Sequence, residues 1–81
     1  MLYTITFDAT VMDEYQRGLV AGIIYMATGA PEQTYAWARS HNNTKWYKTF
    51  ECTEESIKVV VETIERVFVN DVIILDVDRV G

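Results

Sequence analysis

His41 and Cys52 are the side chains with the best claim to nucleophilic or acid–base chemistry, and each is the sole residue of its type in the chain. A thiol and an imidazole act as nucleophile and base only within hydrogen-bond reach of one another. Here they flank residues 44–51 (TKWYKTFE), which read as a strand. At about 3.3 Å per residue, that strand keeps the pair roughly 25 Å apart. A dyad within one chain is excluded on this reading, and Cys52 reads as a small half-buried hydrophobe. A structural zinc site needs four ligands from Cys, His and carboxylates, which one His and one distant Cys do not supply.

Asp76 and Asp78 share one face of a strand and stand roughly 6–7 Å apart. That spacing suits a divalent cation or an acid–base pair. Charges on an outer strand also discourage edge-to-edge pairing, and this is the stronger reading. Gly18 and Gly22 are spaced four apart within a helical stretch, with no Lys-Ser/Thr to complete a phosphate loop. They are expected to let the helix pack closely on the sheet. No catalytic residue, metal site or cofactor is assigned.

Charge is distributed unevenly. Seven basic and twelve acidic residues give a net charge of −5, which argues against tight non-specific nucleic-acid binding. Residues 33–50 contain no acid and carry Arg39, Lys45 and Lys48, while the rest of the chain sums to −8. Trp37 and Tyr47 stand next to these cations, with His41, Asn42 and Asn43 between the two halves of the segment. Aromatics beside Arg and Lys have the composition of an interface hot spot. The competing reading is that Arg39 and Lys48 lay their aliphatic stems around Trp37 and Trp46. Trp37, Arg39, His41, Asn42, Asn43, Lys45, Tyr47 and Lys48 are the expected partner-binding residues.

These residues must be positioned by secondary structure. Residues 2–8 (LYTITFD) alternate, with Tyr3, Ile5 and Phe7 on one face, as in a half-buried strand. Thr10 and Asp13 form an approximate capping box for a helix over 11–28. Its expected buried stripe is Val11, Tyr15, Leu19, Ile23 and Met26, widened by Val20, Ile24 and Ala27. Gly29 and Pro31 end it.

Residues 33–40 and 44–51 read as a hairpin with Asn42-Asn43 as a two-residue turn. That register sets Tyr35 against Phe50, Trp37 against Lys48 and Arg39 against Trp46. Tyr35, Trp37, Trp46 and Phe50 then share a face. A three-residue turn would group Tyr35, Trp37 and Tyr47 instead. Thr53 caps a second helix whose stripe is Ile57, Val60, Val61, Ile64, Val67 and Phe68, with a stop at Asn70. Residues 71–79 form a last strand with Ile73, Leu75 and Val77 on one face and Val72, Ile74, Asp76 and Asp78 on the other.

The order β-α-β-β-α-β, with one apolar face per element, gives a single α+β domain over residues 1–81. It is a two-layer sandwich of a four-stranded antiparallel sheet with both helices on one face, the second and fourth strands at the edges. The topology resembles the ferredoxin-like fold, which hosts many functions and so transfers none. The open sheet face is expected to show Thr4, Thr6, Ala36, Ala38, Tyr47, Thr49, Val72 and Ile74. Self-association through that face or an edge strand is a further expectation.

The function expected is a non-enzymatic interaction module, an inhibitor or regulator that binds a protein partner through the hairpin and the open sheet. A mobile-element accessory protein that blocks a host nucleic-acid-handling enzyme would fit its size and charge. One alternative is a dimer with a ligand-binding or catalytic site between subunits. Another is single-stranded RNA binding, disfavoured because Tyr3 and Phe7 look committed to the core and the glycine-rich basic pattern is missing from the third strand. Lack of a signal-peptide pattern and a lone cysteine suit a cytoplasmic protein. The longest near-apolar run is about half the length that spans a bilayer.

Overall fold

The computed structural model describes residues 1–29 and 36–80. Strands β1 (Leu2–Asp8), β2 (Ala38–Arg39), β3 (Lys45–Glu51) and β4 (Ile74–Arg79) form one sheet in the order β2-β3-β1-β4, and each neighbouring pair is antiparallel. Helices α1 (Glu14–Thr28) and α2 (Glu54–Phe68) supply the second layer. This is the expected ferredoxin-like α+β sandwich, with β2 and β4 at the edges.

The core lies between the layers. Ile5, Phe7 and Phe50 from the two central strands meet Val20 and Ile24 of α1 and Val60 of α2, and none of the six is exposed. Alternation in β1 is the cause on the sheet side, because every second side chain faces the helices. In α2, Ile57, Val60, Ile64 and Phe68 recur at helical spacing and are buried, while Val67, expected in the stripe, is mostly exposed.

Helix α1 departs from expectation in three respects. It starts later, because Asp13, not Thr10, is its N-cap. Asp13 accepts from the Gln16 N–H, and the Gln16 side chain accepts from the Asp13 N–H. Thr10 instead sits in a short 3₁₀ turn (Ala9–Val11) and donates through its N–H and hydroxyl to Asp8 Oδ1. The helix is also rotated. Val20 and Ile24 are buried, with Ile23 and Ala27 packed beside them, whereas Val11, Tyr15, Leu19 and Met26 are exposed. With Glu14 and Arg17 as its only charged residues, α1 is apolar nearly all round, so period alone does not select its inner face. Finally, Gly18 and Gly22 do not serve close packing on the sheet. A methyl group at either would meet nothing within 4 Å.

Other differences concern the strands. Arg39 pairs with Trp46 and Ala38 with Tyr47, the register expected from the sequence. The ordered strand is shorter than 33–40, and residues 33–35, Tyr35 included, lie outside the described residues. The connection is not a two-residue turn. Ser40 N–H bonds to Lys45 O at 3.0 Å, closing a four-residue loop over 41–44 in which Asn43 takes φ 60°. Helix α2 ends at Phe68, before Asn70, and Val69 closes it at φ 50°.

Strand β4 carries an irregularity. Its register against β1 shifts between Thr6 and Phe7, so that Thr6 faces Asp76 but Phe7 faces Ile74. An extra residue of this kind reverses which face the following side chains occupy. Val72 is therefore buried and Ile74 packs on the core, rather than both lying on the open sheet face.

Candidate functional site

The aromatic residues of the hairpin gather on the helix side of the sheet. Trp37 packs against Phe7 with ring centroids 5.5 Å apart and planes tilted by 55°, and it meets Trp46 edge-on at 6.2 Å and 82°. Register explains the grouping, since Trp46 lies opposite Phe7 on β1 and opposite Arg39 on β2. Both Trp rings are half-buried.

Cations surround these rings. The Arg17 guanidinium lies 4.2 Å from the Trp46 ring centroid and that of Arg39 lies 4.9 Å from it. Lys48 Nζ sits 5.3 Å from the Trp37 centroid. Among the described residues the ion pair that forms joins the N-terminal ammonium to Glu51, so no carboxylate neutralises Arg17 or Arg39. The guanidinium planes are held by aromatic faces and, for Arg39, by a 3.4 Å bond to Asn43 O. Arg17 belongs to this site although it is remote in sequence. Three and seven residues before Val20 and Ile24, it shares their inward face of α1, and that spacing is the signal that marks it.

Lys48 differs from the other cations. It is 5% exposed and paired opposite Ile5 on the core face of the sheet. Burial pushes its ammonium below the usual lysine pKa. Its contribution is to seat Trp37, which it approaches from within.

At the hairpin tip, His41, Asn42, Asn43 and Lys45 are exposed. Asn42 Oδ1 accepts from Ser40 Oγ at 2.8 Å and from Thr44 Oγ1 at 2.7 Å, and Ser40 Oγ accepts from Lys45 N–H at 3.1 Å. Asn42 is thereby occupied in shaping the loop, which leaves His41, Asn43 and Lys45 as its presented groups. A loop fixed by its own bonds loses less entropy on binding.

The opposite sheet face is polar. Thr4 and Thr49 share a hydroxyl–hydroxyl bond of 2.8 Å, Thr6 is 8% exposed, and Tyr47 stands between Thr6 and Ala38. Asp76 and Asp78 face Thr6 and Thr4 along β4. Tyr3 and Phe7 are buried on the other side, so β1 offers no aromatic ring to a base on this face.

His41 and Cys52 lie at opposite ends of β3, as the strand length required. Burial raises the Cys52 thiol above its usual pKa, against thiolate formation at neutral pH. Among the described residues, no group of three or more His, Cys, Asp or Glu is placed to hold a metal ion, and no helix is long and apolar enough to cross a membrane. Compared with known protein families, with curated proteins and with solved structures, the chain finds no match.

Proposed function

We propose that this protein is a non-enzymatic interaction module, an inhibitor or regulator that acts by occupying an acidic surface of a protein partner. The observation that carries the reading is the pair of guanidiniums, Arg17 and Arg39, held 4.2 and 4.9 Å from the Trp46 ring with no carboxylate paired to either among the described residues. Arg presents a planar fork of donors matched to carboxylates, and stacking on an indole pre-orders that fork. Trp and Arg are also the side chains on which binding energy concentrates at interfaces. Lys45, His41 and Asn43 extend the contact around the tip, and Tyr47 with the neighbouring open sheet forms its other flank.

Affinity capture tests the proposal. Arg39 and Lys45 are exposed, so the double change Arg39→Glu/Lys45→Glu preserves the core. Wild-type protein is expected to retain a partner that the double variant loses, with unchanged circular dichroism and melting temperature. A partner retained equally by both proteins, or none retained by either, refutes the proposal.

A further inference from the structure

A second surface lies across the sheet from the hairpin, on the outer edge of β4. We propose that this edge receives an extended protein segment that alternates Lys or Arg with aliphatic residues and adds to β4 as an antiparallel fifth strand.

The backbone geometry supports this first. Val80 N–H bonds to Leu2 O at 2.8 Å. In an antiparallel ladder bonded and non-bonded pairs alternate, so Asp78 and Asp76 bond inward to Thr4 and Thr6. Val77, opposite Ile5, lies in a non-bonded pair, and its N–H and C=O point away from β1. No described residue takes up either group. An outward donor and acceptor on an edge strand are what strand addition uses.

The two faces of that edge then define the chemistry of the added strand. On the helix side, Val77 joins Ile57 and Val61 in lining a groove of about 310 Å³ between β4 and α2, rimmed by Lys58 and Glu62. An aliphatic side chain fits there. On the open side, Asp76 and Asp78 are exposed, and neither forms an ion pair among the described residues. Cationic side chains fit there, at the alternate positions of the same strand.

Charge selects the occupant against a second copy of this chain. Pairing β4 with itself centred on Val77 sets Asp76 against Asp78 of the other copy. Shifting the register by two residues either way, the smallest step that keeps the outward backbone groups matched, sets Asp76 against Asp76 or Asp78 against Asp78. Like charges directly opposite destabilise a strand pair, whereas opposite charges stabilise it. The carboxylates thus close the edge to self-pairing and leave it open to a basic strand.

The test is amide exchange by NMR on the full chain, with and without a heptapeptide alternating lysine and valine. Saturating peptide is expected to slow exchange of the Val77 amide about tenfold. The Asp76 and Asp78 amides, already bonded to β1, are expected to change little. The exposed substitutions Asp76→Asn/Asp78→Asn are expected to weaken peptide binding about fivefold to tenfold, two charge pairs' worth. An unchanged Val77 amide, absence of peptide binding, equal binding of a glutamate–valine peptide, or a free protein whose Val77 amide is already protected in a dimer overturns the proposal.

Discussion

Replacing Ile24 should damage the fold, whereas replacing Met26, two residues away, should not. Ile24 is 0% exposed and packs with Val20 and Val60, while Met26 is 87% exposed. Truncating a buried Ile to Ala costs about 2–5 kcal/mol, from lost burial and the cavity left behind. A surface truncation stays within about 0.5 kcal/mol. Domains are stabilised by roughly 0.05–0.15 kcal/mol per residue, which for this chain is about 4–12 kcal/mol in all. Ile24→Ala therefore removes a large share of the total. At about 4–8 °C per kcal/mol for a domain of this size, a loss of about 3 kcal/mol lowers the melting temperature by roughly 12–24 °C. Met26→Ala should move it by no more than about 4 °C. Far-UV circular dichroism during heating and urea unfolding measures both. Equal losses, or a greater loss for Met26→Ala, would refute the orientation of α1 and with it the placement of Arg17 beside Trp46.

Three further outcomes follow. A double-mutant cycle between Arg17→Met and Trp46→Leu, read by urea unfolding, should give a coupling of about 0.5–1 kcal/mol, and a coupling indistinguishable from zero would remove the stack. Val69 is β-branched and holds φ 50°, so Val69→Gly should raise stability by about 1 kcal/mol through relief of backbone strain. Hydrogen bonds from the Thr10 hydroxyl and N–H hold the Asp8 carboxyl below the usual aspartate range. A depressed carboxylate stabilises the fold above its unfolded pKa, and that contribution fades as pH falls through the folded value. The stability gap between wild type and Asp8→Ala should therefore be constant near neutrality and close below about pH 4. A gap that does not change with pH would contradict the assignment.

Much of the architecture was legible in the residues. Strict alternation in β1 and the clean stripe of α2 each admit one buried face, and those faces meet in the core. The hairpin register was legible as well, because a turn at Asn42-Asn43 and the four-residue loop observed place Arg39 opposite the same residue, Trp46. Where several faces were equally apolar, the sequence was silent. In α1 the stripe through Leu19 and the stripe through Val20 are comparable in hydrophobicity, and only the sheet decides between them. The irregularity in β4 leaves no local mark, yet it moves Val72 and Ile74 from one side to the other. The hairpin's cations and rings were visible as composition. That Arg17 completes them, while Lys48 is buried beneath them, depends on packing between elements distant in the chain.

Hydrogen–deuterium exchange on the protein alone and bound to its captured partner measures the interface most directly. The hairpin account predicts slowed exchange across residues 36–47, centred on the tip that carries His41, Asn43 and Lys45, and across the turn of α1 that carries Arg17. Protection confined to other elements, with the hairpin exchanging as in the free protein, would contradict it.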